Sequence, residues 1–210
     1  MHFLMDSTKA AGDELAVDGI VPVGQLLTPL TRYKRWSDFF AIDNGAFSSF
    51  HHKAFKALLA REYEHRRLCK FVAVPDVVGD ARRTLEVFNL LAHDLKSAGW
   101  PVALVLQDGI GDLAIPWRQL AAVFIGGTTK FKESDSAVAC AKAARILGKW
   151  VHVGRVNTPD RWDKWAKIAH SVDGSGVSRY SHMRTRLVDH VRTSAHTKKG
   201  KPRSTSRPAS

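Results

Sequence analysis

Clustered cysteine is missing from this chain. Cys69 and Cys140 are the two cysteines among 210 residues, and they lie far apart with no CxxC spacing. A disulfide framework and a thiolate zinc site are thereby excluded, and two free thiols in apolar surroundings are expected. The histidines are scattered. His51, His52 and His65 fall on one basic segment, and none forms HxxxH with a third ligand, so no metal is expected. Long apolar runs are absent too, since none approaches the ~18 residues of a membrane span. Met1-His2-Phe3-Leu4-Met5 is short and soon meets Asp6, unlike a signal peptide. The expectation is a soluble, cytoplasmic protein with no membrane partner. No GxGxxG follows the first apolar run, so a dinucleotide fold loses support and no cofactor is expected.

Acidic residues are scarce relative to basic ones, 20 against 32, giving a formal charge of +12. From Val191 onward there is no Asp or Glu, while Arg192, Lys198, Lys199, Lys201, Arg203 and Arg207 are all present. Setting those six aside leaves about half of the +12 on the remainder, so the folded part is basic as well. Such a balance points to a polyanion, most often nucleic acid. The alternative is a basic protein with an incidental tail. Beyond about Thr193 the chain is rich in Ser, Thr, Lys, Pro and Gly without apolar periodicity, too polar to offset its ordering entropy. The chain therefore divides into a domain over 1–190 and a disordered basic tail over 191–210.

Within the domain the periodicity alternates. Strand-like runs occur at His2–Met5, Phe39–Ile42, Phe71–Pro75, Val102–Leu106, Ala122–Ile125, Trp150–Val153 and Ser171–Val172. A weaker run, Gly19–Val23, contains Pro22 and completes a set of eight. Helical spacing covers Lys53–Lys70, Asp80–Ala98 and Glu133–Leu147. Thr158-Pro159-Asp160 reads as an N-cap with proline at the first helical position, opening a helix to about His170. Asp80 likewise reads as an N-cap. Gly109–Gln119, with Gly111 and Pro116, suits a loop or short turn. Strands alternating with helices imply right-handed βαβ units and a parallel sheet. The fold class expected is α/β, a compact (β/α)8 TIM-type barrel of minimal size.

Several of these runs end in residues with chemical potential. The run at Phe39 leads to Asp43, that at Phe71 to Asp76, that at Val102 to Gln107, that at Ala122 to Gly126 and Gly127, and that at Ser171 to Asp173. In a barrel these ends share one rim, where catalysis occurs. A single strand-end Asp often just caps a loop; three, with an amide and a glycine pair, suggest a site for a molecule with several hydrogen-bonding edges, such as a nucleobase. The glycine pair can cradle phosphate, admit a flat ring against the backbone, or simply form a tight turn. Thr128-Thr129-Lys130-Phe131-Lys132 follows it and leaves phosphate contact open to the lysines, and Arg179 can neutralise Asp173 or hold a phosphate.

In order and spacing, Asp43-Asn44-Gly45-Ala46-Phe47, Pro75-Asp76-Val77-Val78-Gly79-Asp80, Leu106-Gln107-Asp108-Gly109, Ile125-Gly126-Gly127, Val153-Gly154 and Val172-Asp173-Gly174-Ser175-Gly176 resemble the queuine/guanine transglycosylase superfamily. Its compact members, often phage-encoded, place 7-deazaguanines such as preQ0 in DNA, and the likeness spans roughly residues 38–180. The resemblance implies that Asp173 is the nucleophile at the sugar C1′ and that Asp43 is the general acid/base. It further implies that Asp76, Gln107, Gly126 and Gly127 read the purine, and that Phe47 forms one side of a stacking slot. The implied partners are guanine sites in DNA and a free 7-deazaguanine base; no protein partner is named. The chain departs from the pattern in lacking the Cys-and-His zinc site of the tRNA-acting members, in Asn44 and Ala46 where they have Ser and Gly, and in Asp108 where they have Gly. Three other readings stay open: a tRNA-acting transglycosylase, a sugar-phosphate barrel enzyme, and a non-catalytic nucleic-acid binder.

Overall fold

Eight strands of three to five residues pair in parallel in chain order, and the last returns to the first, closing a barrel. They are β1 (His2–Met5), β2 (Val23–Leu27), β3 (Phe40–Ile42), β4 (Cys69–Ala73), β5 (Val102–Leu106), β6 (Ala122–Ile125), β7 (Trp150–Val153) and β8 (Ser171–Asp173). The helices are α1 (Lys9–Leu15), α2 (His52–Glu62), α3 (Ala81–Ser97), α4 (Thr129–Glu133), α5 (Asp135–Ile146), α6 (Pro159–Trp165), α7 (Ser175–Arg179) and α8 (Ser181–Lys199). This computed structural model describes residues 1–30, 33–48 and 50–199. The chain is a (β/α)8 barrel, as the alternation of periodicities predicts.

Strand residues alternate between two cores. Leu4, Leu26, Ala41, Phe71, Ala73, Ala103, Val105, Ala122 and Phe124 fill the barrel interior, with Phe39 and Trp150 packed against them. Phe3, Met5, Leu104, Leu106, Val123, Ile125, Val151, Val153 and Val172 face the helical layer. Burial on both faces is why the strands read as continuous apolar runs rather than alternating ones. Caps fix where helices begin. The Asp80 carboxylate accepts the Arg83 N–H at 3.0 Å, and Thr158 caps α6 with Pro159 at its start, both as predicted. Residues Gly109–Gln119 form two short 3-10 turns, Ile110–Asp112 and Trp117–Gln119, in place of a helix.

Besides β4, which runs Cys69–Ala73 where Phe71–Pro75 is predicted, and α5, which begins at Asp135 after the Ser134 cap and not at Glu133, four boundaries differ from the sequence reading. The weak second strand begins at Val23 instead of ending there: Pro22 has no N–H to give, and its carbonyl makes the first β1–β2 ladder bond by accepting the Phe3 N–H at 2.8 Å. Polar Gln25 can sit inside β2, since its amide donates to the Lys34 carbonyl at 3.0 Å and accepts the Trp36 N–H at 2.7 Å. Helix α2 stops at Glu62, whose carboxylate takes Arg35 at 3.2 Å and Arg61 at 2.7 Å, and a 3-10 turn follows at Tyr63–His65. Helix α6 stops at Trp165, which is buried, leaving a turn before β8.

The fourth difference is the domain boundary. Helix α8 crosses the division drawn at residue 190 and runs to Lys199. Buried Leu187 and Val188 dock it. Arg184 meets Glu14 at 2.7 Å and Arg192 meets Asp18 at 2.8 Å, both pairs reaching back to the start of the chain. Residues 200–210 of the predicted tail lie outside the described residues. Cys69 is buried and Cys140 half-buried, and burial pushes both thiols up. Among the described residues, no helix is long and apolar enough to cross a membrane, and no cluster of His, Cys, Asp and Glu could hold a metal ion.

Candidate active site

A cleft of about 550 Å³ opens at the carboxyl ends of the strands. Asp43, Phe47, Asp76, Gln107, Gly126, Gly127 and Asp173 all line it, so the fold brings every predicted site residue together. Its size suits a small ligand.

On the β3–β5 side the carboxyl groups are held by amides. The Asn44 side chain is buried and donates to Asp76 Oδ1 at 2.7 Å and to the Val74 carbonyl at 2.9 Å. Its oxygen accepts the Ala46 N–H at 2.7 Å, turning the chain toward Phe47. Gln107 donates to Asp76 Oδ2 at 2.5 Å and accepts the Gly79 N–H at 2.8 Å, which fixes the orientation of its amide. Burial raises the Asp76 carboxyl above its ordinary range, against the pull of the two amide donors. Asp43 accepts the Asn44 N–H at 2.8 Å. Burial first, then the charges of Asp173 and Asp76, lift its carboxyl to about 7. A carboxyl titrating there can give and take a proton at neutral pH.

On the β7–β8 side Asp173 is held differently. Arg155 N–H donates to Asp173 Oδ1 at 3.1 Å, and His152 Nε2 lies 3.0 Å from Oδ2. His152 is fully buried inside the barrel, clustered with the rings of Phe71 and Phe124 at 4.9 and 4.5 Å. Its other nitrogen lies 2.9 Å from Ser171 Oγ, which also accepts the Trp150 indole N–H at 2.9 Å.

Cations complete the cleft. Lys132 is buried and donates to the Gly127 carbonyl at 3.0 Å. Burial, reinforced by the nearby Arg155 guanidinium and opposed by Asp173, brings its ammonium down to about 8. Arg155 Nη2 donates to the same carbonyl at 2.7 Å, and the guanidinium lies 4.0 Å from the centre of the Phe47 ring. Phe47 is 63% exposed, so in this state its stacking partner is Arg155. Arg179 also lines the cleft.

The glycine pair is set by packing. A Cβ on Gly126 would stand 2.6 Å from Val105 Cγ1, and one on Gly127, where φ is +68°, would stand 2.6 Å from Asp108 Oδ2. Asp108 is thereby explained. It accepts the Thr128 hydroxyl at 2.6 Å and the Thr128 N–H at 2.8 Å, tying the loop after β5 to the loop after β6. Burial opposes its ionisation, but the Thr128 donors outweigh that and hold the carboxyl low.

Sequence reasoning did not single out His152 or Arg155, and it treated Asn44 as a departure and Lys132 as one of several lysines. The available signals were weak. His152 shares the inward period of Trp150 on β7, and Arg155 follows Val153-Gly154 at a strand end with φ +61°.

Fold and site together define a (β/α)8 barrel with a polar, carboxylate-bearing cleft at its carboxyl rim. No protein family matches the chain by sequence, and no curated protein does. Among solved structures it is similar to a flavocytochrome b2 variant, with 12% identity over 93% of this chain and a TM-score of 0.53. The chain spans 64% of that protein's length. It is also similar to the phosphoribosyl anthranilate isomerase from Thermus thermophilus, with 13% identity over 92% of this chain, 99% of that one, and a TM-score of 0.45. The first likeness shows the fold and nothing finer.

Proposed function

We propose that this chain is a DNA guanine transglycosylase, a pentosyltransferase that exchanges guanine in DNA for a 7-deazaguanine. The observation carrying the proposal is the meeting of Asp43, Asp76 and Asp173 in one cleft, with Asp43 raised to about 7. Base exchange needs one carboxylate to trap the sugar and another group to move a proton. An Asp173 oxygen attacks C1′; the C–O bond forms as C1′–N9 breaks, and the bonding pair leaves with guanine, which takes a proton from Asp43. The incoming base then gives its proton to Asp43 and attacks C1′, and the C–O bond breaks to restore the Asp173 carboxylate. Asp76 and Gln107, fixed by Asn44 and the Gly79 N–H, present polar atoms to the base, and Phe47 supplies a stacking face once Arg155 gives way. The target nucleotide must leave the stack to reach such a cleft, and the basic surface suits the strand it leaves behind.

Lys132, Arg155 and Arg179 on the same rim also favour a second reading, an enzyme acting on a small sugar phosphate. Labelled-guanine exchange on DNA, on tRNA, and thermal protection by a sugar phosphate separate these readings. Exchange on DNA that Asp173→Ala reduces by about 10³-fold or more, with the fold intact, is the expected result. Undiminished exchange in that variant would remove Asp173 as nucleophile. Protection by a sugar phosphate, with no exchange on either nucleic acid, would replace the proposal.

A further inference from the structure

The barrel interior is built from Leu, Ala, Val and Phe, yet one line of polar groups crosses it: Trp150, Ser171, His152 and Asp173. Polar groups in such surroundings are costly unless each is bonded. Every link here is made, and bonding rules give the line a direction. The indole N–H can only donate, so Ser171 Oγ accepts from it. A carboxylate can only accept, so the His152 nitrogen facing Asp173 carries the proton. In a neutral ring the remaining His152 nitrogen then accepts the Ser171 hydroxyl hydrogen. We infer that His152 is a positioning residue for Asp173: Trp150 and Ser171 fix its tautomer, Phe71 and Phe124 fix its plane, and its Nε2–H fixes the rotation of the Asp173 carboxylate.

A phenylalanine at 152 would keep an aromatic ring beside Phe71 and Phe124 and lose the hydrogen bonds. What histidine adds is one donor aimed at Oδ2. With Oδ2 tied from beneath and Oδ1 held by a main-chain N–H, the carboxylate is locked in one orientation toward the cleft. In the transglycosylase reading, on which the role in catalysis rests, Oδ1 forms the bond to C1′ while His152 stays on Oδ2. When the C1′–O bond breaks again, the returning negative charge meets a donor already in place. Neither partner exchanges a proton in this role; the histidine orients and the aspartate reacts.

The test joins a spectroscopic arm to a kinetic one. In protein carrying ¹⁵N-labelled histidine, the expected signature is a His152 ring protonated at Nε2 and bare at Nδ1. Asp173→Asn and Ser171→Ala should each move both nitrogen signals. A ring bearing its proton at Nδ1, or signals indifferent to both variants, overturns the inference. In the exchange assay, His152→Phe should lower kcat by about 10²-fold, the cost of a misplaced reacting group, with KM for the base unchanged. His152→Gln, which restores an N–H donor, should recover part of that loss. A His152→Phe protein at the wild-type rate overturns the positioning role. A wild-type protein inactive on nucleic acid, yet showing the Nε2–H signature, counts against the transglycosylase reading alone and supports the His152–Asp173 pairing.

Discussion

On the β3–β5 side of the cleft, Asp43 and Asp76 meet main-chain N–H groups and neutral amides. On the β7–β8 side, Asp173 meets an imidazole and the N–H of Arg155, and the Lys132 ammonium feels its charge. The two sides share one rim and one kind of side chain. Amides satisfy a carboxyl without supplying charge, so burial dominates on the first side and pushes both groups up. Cations gather on the second. The same residue type is thus prepared to hold a proton on the first side and is surrounded by donors and cations on the second.

The largest expected break in this contrast comes from Asp43→Asn. Exchange should fall about 10²–10⁴-fold, the usual worth of a general acid/base. In the wild type, the base-expulsion step should slow as pH rises through about 7, because Asp43 then lacks the proton it must give. Stability of the Asn variant should move opposite to its activity, upward. A carboxyl whose folded pKa is raised destabilises the fold increasingly as pH climbs from its ordinary 3.8 to about 7, and by a constant amount above that. The Asn variant escapes that cost, so its gain in Tm should be larger at pH 8 than at pH 5. Equal gains at both would show that Asp43 does not carry the raised pKa.

A smaller effect follows from Asn44→Ala, which deprives Asp76 Oδ1 and the Val74 carbonyl of their donor. Urea unfolding should show a loss of about 1–3 kcal/mol, the cost of buried groups left unpaired. The Asp76 carboxyl should rise further, blunting the contrast by making the first side still more protonated. The smallest effect on the fold belongs to Phe47→Ala. The ring is largely exposed, so Tm should change by little, while KM for the base should rise about 5-fold or more as a stacking face worth about 1–3 kcal/mol is lost. An unchanged KM would remove Phe47 from the slot and leave its contact with Arg155 as surface packing.

How much of this the sequence displays depends on which physical signal each residue leaves. Asp43, Asp76, Gln107, Gly126, Gly127 and Asp173 stand at the ends of apolar runs, and a barrel places such ends on one rim, so their convergence could be read in advance. His152 and Ser171 left no comparable mark. They lie within strands buried on both faces, where position parity says which way a side chain points but not that the inside is polar. Asn44 looked like a disturbance next to Asp43; only the fold shows its amide reaching β4 to hold Asp76. The second strand was misplaced because Gln25 interrupts its apolar pattern, and that glutamine is satisfied by residues 34 and 36, a pairing no local window contains. The continuation of α8 past Thr193 was illegible for a related reason: the helix is anchored by Leu187, Val188 and the Arg192–Asp18 pair, upstream of the polar stretch.

Strand β8 lies between β7 and β1, with Asp173 in register with Leu4. Asp173 is therefore seated by pairing between the first strand and the last. A growing polypeptide that has made seven strands has most of its core but no floor beneath residue 173. The β1–β8 contacts that complete the cleft join residues almost the length of the described chain apart, and loop closure of that kind comes late and slowly. Assembly of the cleft and completion of the barrel are then one event, and no shorter intermediate on the ribosome would carry the finished cleft.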